Sequence, residues 1–338
     1  MERFERVAPP GSELPLLLTP AAVGESLSAA QGRLRAQIDS ALLTIGGVLL
    51  RGFEVPSVDV FRGFAAGFGH ELLAYEFGST PRSAVQSGVY TSTEYPAHQH
   101  IPLHNEQAYT REWPMRIWFH CVTAAQSGGE TPIADSRAVY RRMPAAIRRR
   151  FARGLVYVRN FGDFDLPWQT VFNTDDRARV EAYCRQAGIE WEWLEDDGLR
   201  TRQRCQGVER HPHTGELVWF NQAHLFHVSS LQADVRESLE EAFGIENVPR
   251  NVYDADGRTI SDEVFDEIRA VLDEETVRFA WQAGDVMMLD NMLVAHARTP
   301  FAGPRKVVVA MADPHGNVEP SDPTALRLAD VDDLSCVG

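Results

Sequence analysis

The sequence predicts a mainly β protein with helical insertions (α+β), built on a jelly-roll core, also called a double-stranded β-helix. Strand-like segments, short and broken by proline or glycine, are concentrated in residues 81–133 and 277–313. Segments with helical spacing of apolar residues stand between these two stretches and before the first. This arrangement fits a jelly roll better than a parallel α/β sheet, in which strands and helices alternate. The 338 residues are 44% hydrophobic and 24% charged, which favours one elaborated domain over residues 1–338.

The N-terminal part is predicted to form two helices with one strand between them. Residues 27–41 have apolar residues at helical spacing and precede the apolar run "LLTIGGVLLRGF", which we interpret as a strand ending at Gly52. Ser57 can cap a second helix, in which Phe61, Phe64 and Phe68 form one apolar stripe. We expect these aromatic side chains to lie in the core.

Three helical insertions are predicted around residues 134–153, 174–188 and 231–276. The second has Thr174 as its predicted N-cap and Gly188 as its C-terminal stop. The third contains "SDEVFDEIRAVLDEE", in which a serine and acidic residues precede an apolar stripe. We expect these helices to pack around the β core.

The charge and the termini exclude several classes of partner and compartment. A formal net charge of -15 repels phosphate backbones and anionic membrane surfaces, so neither nucleic acid nor a membrane is an expected partner. The four cysteines form no CxxC pair, which suits a reducing compartment. The N-terminus is charged and interrupted by proline, unlike a signal peptide, and the run "ALLTIGGVLL" is too short to span a bilayer. The sequence therefore predicts a cytoplasmic protein.

The stretch "HQHIPLHNEQ", residues 98–107, concentrates possible metal ligands in a chain that has 11 histidines. In an extended strand, side chains two apart face the same way, so His104 and Glu106 can act together, and so can His98 and His100. The first pair offers an imidazole and a carboxylate, the mixture of donors that Fe(II) takes in a two-histidine, one-carboxylate site. We therefore interpret His104 and Glu106 as the ligands, and His98 and His100 as loop residues or as residues that support the ligands.

A third ligand must come from elsewhere in the chain, and His296 is the best candidate. It follows the turn "AGD" and the strand-like "VMMLDN" within an apolar stretch, and Arg305 stands nine positions later, at the start of the last strand. An isolated histidine in such a setting is more often a core residue. His296 is therefore a candidate ligand only in combination with His104 and Glu106.

The segments "LHNEQ", "SGGETPIADSRAVY", "WFNQAHLFHVSS" and "GDVMMLDNMLVAHARTPFAGPRK" together resemble the taurine dioxygenase (TauD/TfdA) superfamily of Fe(II)- and 2-oxoglutarate-dependent oxygenases. The resemblance extends from about Leu49 to Asp313. With glutamate as the acidic ligand, the chain is similar to clavaminate synthase-like oxygenases and to hydroxylases of amino acids tethered to carrier proteins.

The resemblance implies Fe(II), 2-oxoglutarate as cosubstrate and dioxygen. His104, Glu106 and His296 match the iron ligands. Thr131 matches the hydroxyl that meets the distal carboxylate of 2-oxoglutarate, and Arg305 matches the arginine that pairs with it. Because neighbouring strand residues face opposite ways, Arg305 and Lys306 cannot both point inward, and we favour Arg305.

Three further residues are candidates for contact with the substrate. Arg298 lies two positions beyond His296 and can bind a substrate carboxylate, although a bridge to an acidic neighbour at the barrel rim is an equal alternative. His100 and Asn105 flank the metal-binding segment. An ordinary supporting role remains open for both.

The expected reaction is hydroxylation of an amino acid or a molecule derived from one, in secondary metabolism. The substrate is a small molecule that is either free or carried as an aminoacyl thioester by a carrier protein. The same ligands would serve desaturation, epoxidation or cyclisation, because the outcome depends on where the substrate carbon lies. Halogenation is disfavoured because Glu106 fills the place that chloride needs. A zinc hydrolase with the same ligands and a non-catalytic binding barrel remain as alternatives.

Overall fold

The computed structural model describes residues 5–73, 84–92, 95–162, 166–195, 197–316 and 331. The helices are α1 (Leu27–Thr44), α2 (Val58–Ala66), α3 (Ser136–Arg142), α4 (Ala145–Ala152), α5 (Trp168–Val171), α6 (Arg177–Ala187), α7 (Ala223–Phe226), α8 (Ala233–Phe243) and α9 (Asp262–Glu274), with a 3-10 turn at Val228–Ser230. The strands are β1 (Arg6–Val7), β2 (Leu16–Leu18), β3 (Gly47–Leu50), β4 (Ala84–Gln86), β5 (Val89–Thr91), β6 (Ile101–His104), β7 (Glu112–Thr123), β8 (Ser127–Gly128), β9 (Ile133–Asp135), β10 (Leu155–Phe161), β11 (Glu190–Trp193), β12 (Leu199–Cys205), β13 (Val208–Arg210), β14 (Leu217–Trp219), β15 (Arg250–Asp254), β16 (Arg278–Phe279), β17 (Val286–Asp290), β18 (Val294–Arg298), β19 (Phe301–Ala302) and β20 (Lys306–Gly316).

The largest sheet among these residues has the order β2-β3-β17-β7-β20-β5-β4 and is antiparallel except for the β2–β3 pair. Its strands alternate buried residues between two faces, as the pleat requires. On β17, Met287 and Leu289 face one core, whereas Val286 and Met288 face another. Both faces of this sheet are therefore covered.

A smaller sheet, in the order β6-β18-β9, packs against the inner face of the large one. Apolar residues of both sheets share one core, among them Ile117 and Met287 from the large sheet and Ile133 and Val294 from the small one. Two antiparallel sheets that enclose a core in this way form a jelly-roll barrel.

Helices α1 and α2 cover the outer face of the large sheet. Ile38 of α1 and Phe61, Phe64 and Phe68 from the α2 segment pack on Trp118 and its neighbours. The predicted aromatic stripe therefore lies in the core, as the sequence indicates.

The remaining helices and a separate sheet, in the order β11-β12-β10-β15, pack behind the small sheet. Ala295 and Ala297 of β18 belong to the same apolar cluster as Tyr140 of α3, Phe151 of α4 and Phe265 of α9. Because Ala295 and Ala297 face this cluster, the alternation of the strand turns His296 toward the barrel interior.

Two helix boundaries differ from the sequence predictions. Helix α1 continues to Thr44, and the strand after it begins only at Gly47, because Ala41 accepts hydrogen bonds from the amides of residues 45 and 46 and Gly46 turns the chain at φ +95°. Helix α6 is capped by Asp176, whose carboxylate accepts from the Ala178 amide, and not by Thr174.

The mainly β architecture with helical insertions is confirmed. Helices lie within each of the three predicted stretches, 134–153, 174–188 and 231–276. Among the described residues, no helix is both long enough and apolar enough to cross a bilayer.

Candidate metal centre

The candidate metal centre lies where β6 and β18 pair. His104 is the last residue of β6, and His296 is its direct partner on β18. The centroids of the two imidazole rings are 4.4 Å apart. Two histidines that are 192 positions apart in sequence, 296 minus 104, therefore meet through strand pairing.

Glu106 completes the group. Its Oε2 lies 3.7 Å from Nε2 of His296, and one ligand atom from each of the three residues lies within 4.8 Å of the others. Ligand atoms about 2 Å from a shared ion are themselves about 3 to 4 Å apart, so this spacing suits a bound metal. Within the described ranges, this is the one cluster of histidine, cysteine or acidic residues with such spacing.

The His104 ring is oriented by its own strand. Its Nδ1 lies 2.8 Å from the carbonyl oxygen of Pro102, so Nδ1–H donates and Nε2 keeps a lone pair for a metal. A hydrogen bond from the second ring nitrogen to a backbone carbonyl is a common way to fix the tautomer of a metal ligand.

Glu106 reaches the site from a turn. The expectation from the sequence was an extended strand, in which side chains two positions apart face the same way. Strand β6 ends at His104, and the Ala108 amide bonds back to the Asn105 carbonyl. Gln107 has a left-handed φ of +56°, which turns the chain sharply. The carboxylate still lies on the same side as His104, although for a different local reason.

The donor set suits Fe(II). Two imidazole nitrogens and one carboxylate oxygen form the two-histidine, one-carboxylate face that non-haem iron oxygenases use, with the opposite positions left open. The side chains of Glu106 and His296 are buried, whereas His98 is exposed. Neither His98 nor His100 belongs to the cluster.

A small cavity of about 30 Å³, partly open to solvent, adjoins the two histidines. Thr131 and Arg305 line it together with apolar side chains. The indole of Trp281 donates to the Thr131 hydroxyl oxygen at 2.9 Å, which leaves the hydroxyl hydrogen available for an acceptor in the cavity. The two residues matched to a 2-oxoglutarate carboxylate therefore lie beside two of the candidate metal ligands.

The Arg305 guanidinium is held in place by its neighbours. Its Nε donates to the Gly129 carbonyl at 2.9 Å, and its Nη1 lies 3.4 Å from the Ser92 hydroxyl. Burial, together with the nearby Arg298 charge, lowers the pKa of Arg305 to about 10, so the group is still cationic at neutral pH. Lys306 is exposed and does not line the cavity.

Arg298 also lines the cavity, but its guanidinium is engaged with the chain before β6. It donates to the carbonyls of Tyr95 at 3.0 Å, Pro96 at 2.8 Å and Gln99 at 2.9 Å. These oxygens are neutral and leave the positive charge of the group intact. The contact of Arg298 with a substrate carboxylate therefore stays a prediction. The role that the structure shows is to hold the chain before β6.

His100 is exposed at the end of the segment that Arg298 holds and is not part of the cavity lining. Desolvation by the surrounding protein lowers the pKa of its ring most; Asp273 raises this pKa, and the Arg278 and Arg298 charges lower it. Its predicted substrate contact stays a prediction.

Asn105 faces away from this cavity. Its side-chain amide donates to Ser136 Oγ at 3.1 Å and to the Asn291 carbonyl at 2.6 Å. It borders a second, smaller cavity of about 10 Å³ on the other side of the strand. Because both amide hydrogens are used within the protein, the predicted contact with substrate gains no support.

Sequence reasoning missed Gly129 and Trp281. Gly129 has φ +72°, and a Cβ there would lie 2.9 Å from Cδ of Arg305, so only glycine lets the arginine pass. The double glycine of "SGGETP" is the signal that could have indicated a close approach. The indole contact with Thr131 spans 150 positions and leaves no local signal.

Comparison with known proteins identifies the family. The family model described as "Taurine catabolism dioxygenase TauD, TfdA family" matches residues 14–311. The dapdiamide synthesis protein DdaC of Enterobacter agglomerans is 43% identical over 279 residues, which cover 82% of this chain and 85% of DdaC. A clavaminate synthase-like protein of Arabidopsis thaliana is 34% identical over 286 residues, 81% of this chain and 83% of that protein.

Solved structures share the fold. PvcB of Pseudomonas aeruginosa, described as an Fe, alpha-ketoglutarate dependent oxygenase from an isonitrile synthetic pathway, superposes with a TM-score of 0.51 at 18% identity, covering 88% of this chain and 84% of PvcB. AAD-2 in complex with Mn(II) and N-oxalylglycine has a TM-score of 0.53 at 12% identity, covering 90% of this chain and 95% of that one. The jelly-roll prediction is confirmed.

The expected enzyme class is also confirmed: the protein is an oxygenase that uses Fe(II), 2-oxoglutarate and dioxygen on a small-molecule substrate. By the match over most of its length, the chain belongs to the TauD/TfdA family of dioxygenases.

Proposed function

We propose that this enzyme hydroxylates an amino acid or an amino-acid-derived molecule in secondary metabolism, either free or attached to a carrier protein. The observation that supports this substrate class is the 43% identity with a protein named for dapdiamide synthesis, which points to amino-acid-related biosynthesis. The identity extends over 82% of the chain, and the family model matches residues 14–311, which include every candidate site residue.

We propose further that His104, Glu106 and His296 hold the iron. Their donor set and mutual distances support this assignment. Iron bound there with 2-oxoglutarate and dioxygen supplies the oxidising chemistry, whose products are succinate, carbon dioxide and the oxidised substrate. The carboxylate of Glu106 occupies a position that a halogenase leaves vacant, which favours oxygen insertion over halogenation.

The proposed role of Thr131 and Arg305 is to bind the distal carboxylate of 2-oxoglutarate. Arg305 offers charged N–H donors, and charge-assisted bonds to a carboxylate are among the stronger hydrogen bonds. Because Trp281 already donates to the Thr131 oxygen, the hydroxyl hydrogen is free to be donated to the carboxylate. The cosubstrate is thereby oriented with its 2-oxo acid end toward the histidines.

The rest of the cavity wall excludes water and orients the substrate. Ile101 and Phe119 provide apolar surface beside the histidine pair. We propose that the guanidinium of Arg298, which lines the cavity, attracts the carboxylate of the substrate. The reacting carbon is then selected by its position relative to the metal, which also decides between hydroxylation and desaturation, epoxidation or cyclisation.

The test is succinate formation under Fe(II) and 2-oxoglutarate with two matched panels, free amino acids and the same amino acids linked as thioesters to a carrier protein. We expect at least one member to increase succinate formation well above the substrate-free rate and to gain one oxygen atom by mass spectrometry. A third panel of the matching carboxylic acids without the amino group is the control, and coupled turnover confined to that panel would contradict the proposal. Activity with only one of the two amino-acid panels decides between the free and the carrier-linked form.

A further inference from the structure

The segment that carries Glu106 lies at the edge of the small sheet. Among the strands that the structure describes, β6 pairs only with β18, and it ends before Glu106. A backbone segment that leaves a sheet needs other partners for its amide and carbonyl groups, especially where it is buried. Glu106 is 5% exposed, so those partners must come from the protein.

Asn291 supplies them. Its Oδ1 accepts from the Glu106 amide at 2.7 Å, and its Nδ2 donates to the Glu106 carbonyl at 3.0 Å. One side chain thus binds both backbone groups of the residue that carries the carboxylate, as a neighbouring strand would. Asn291 directly follows β17 of the large sheet, so the contact ties the turn to the opposite side of the barrel.

The orientation of the Asn291 amide is fixed by its surroundings. The second Nδ2 hydrogen is donated to the Pro114 carbonyl at 2.8 Å, and the backbone of Asn291 donates to the Met115 carbonyl at 2.8 Å. Two carbonyls face Nδ2 and one amide faces Oδ1, and the reversed orientation would lose all three bonds. Asn291 is 0% exposed, so water does not compete with these bonds.

The contact is reciprocal. The side chain of Asn105, adjacent to Glu106, donates to the Asn291 carbonyl at 2.6 Å. Each asparagine therefore binds the backbone of the segment that carries the other, and the turn has little freedom to rotate.

We propose that Asn291 is a positioning residue for the metal centre, which fixes the backbone of Glu106 so that its carboxylate meets the two histidines. The proposal rests on the assignment of Glu106 as a metal ligand. Removing the side-chain amide of Asn291 releases the turn. Metal binding must then also order the backbone of Glu106, which costs conformational entropy. Residues that orient a metal ligand typically change metal affinity about 10- to 100-fold when they are replaced.

The test compares Mn(II) binding to the metal-free full-length protein by titration, with Asn291→Ala and Asn291→Ser as variants. Alanine removes the amide, and serine keeps a polar group that is too short to span both backbone groups. Asn160→Ala is the matched control, because Asn160 also bonds a backbone carbonyl, that of Val248 at 2.7 Å, in a sheet that carries none of the three candidate ligands. Urea unfolding of each metal-free variant measures its stability.

We expect both Asn291 variants to bind Mn(II) about 10- to 100-fold more weakly than the wild type, and Asn160→Ala to bind it as the wild type does. The visible spectrum of the Co(II)-loaded protein should also change in the Asn291 variants, because the carboxylate no longer holds one position. Wild-type affinity in a folded Asn291 variant would overturn the proposal. Failure of both variants to fold even with Mn(II) and 2-oxoglutarate would overturn it too, since the asparagine would then serve the fold as a whole.

A Glu106→Gln variant separates this proposal from the metal assignment. If Glu106→Gln binds Mn(II) as the wild type does, the assignment of the ligand is wrong. If Glu106→Gln loses the metal but the Asn291 variants keep it, only the positioning role is wrong.

Discussion

His104 and His296 face each other in register across the β6–β18 pair, with ring centroids 4.4 Å apart. The pairing places the two imidazoles on one face of the small sheet, and Phe119 of the large sheet packs 5.0 Å from the His296 ring. The candidate metal centre therefore lies between the two sheets of the barrel, where neither histidine can move without disturbing a strand.

Replacing Glu106 with glutamine should abolish tight metal binding. The variant keeps the size of the side chain but loses the one negative charge of the site, so we expect Mn(II) affinity to fall by ~100-fold or more, beyond the range typical of residues that merely orient a ligand. Isothermal titration of the metal-free protein measures this directly. His98→Gln is the control, because His98 is exposed and outside the cluster. Equal affinities in the two variants would refute the assignment.

Replacing Arg305 with lysine should raise the KM for 2-oxoglutarate. A lysine retains the charge but not the planar pair of donors, and losing a hydrogen bond to a charged group corresponds to roughly a 10- to 100-fold change. Lys306→Arg is the matched control and should leave this KM within about twofold, because Lys306 is exposed. If the control, and not the Arg305 variant, altered the KM, the cosubstrate would bind to the neighbouring residue.

Replacing Gly129 with alanine should also raise the KM for 2-oxoglutarate. The effect would act through Arg305 and not through a direct contact with the cosubstrate. The added Cβ would lie 2.9 Å from Cδ of Arg305 and 3.0 Å from Cβ of Ala125, so the guanidinium must shift. The positive φ adds backbone strain of about 1 to 2 kcal/mol. Gly257→Ala serves as the control, with φ +75° and no atom within 4 Å of the new Cβ.

Both glycine variants should therefore lose stability in thermal unfolding, whereas only Gly129→Ala should raise the KM for 2-oxoglutarate. Matching KM values in the two variants would show that Arg305 does not depend on the space at Gly129.

His227 should make the stability of the protein depend on pH. Burial, with the nearby Arg236 and Arg269 charges, lowers the pKa of His227 to about 4, although Asp262 opposes the shift. Its ring stacks on Phe265 with centroids 4.1 Å apart. Because the folded state disfavours protonation of His227, the neutral ring contributes fully to the free energy of unfolding above about pH 6.5. This contribution is lost as the pH falls toward 4.

His227 changes the free energy of unfolding by at most about 1.4 kcal/mol per pH unit. Urea unfolding of the metal-free protein between pH 7.5 and 5 should therefore show a steeper loss for the wild type than for His227→Gln. Parallel pH profiles would mean that the ring titrates alike in both states.

Much of the site was predictable because its signals are local. His104 and Glu106 are two positions apart, and His296 and Arg305 stand in one apolar segment. The structure brings these four residues and Thr131 to one region, and it turns Arg305 rather than Lys306 toward the cavity. Strand alternation alone could not decide between Arg305 and Lys306, because an error of one residue in the strand register turns every side chain to the opposite face.

What the sequence could not reveal depends on contacts between distant segments. The turn at Glu106 is set by Asn291, 185 positions away, and a periodicity argument sees only neighbours. The guanidinium of Arg298 is directed by carbonyls about 200 positions earlier, which no local pattern announces. The cap of α6 falls on Asp176 because the Thr174 hydroxyl instead accepts from the Asp176 amide.

The most direct test of the metal centre is the anomalous diffraction of a crystal loaded with Fe(II) and 2-oxoglutarate without oxygen. We predict one iron peak about 2 Å from Nε2 of His104, a carboxylate oxygen of Glu106 and a ring nitrogen of His296, with the distal carboxylate of the cosubstrate on Thr131 and Arg305. An iron peak at any other group of residues, or none at full occupancy of the cosubstrate, would contradict the account.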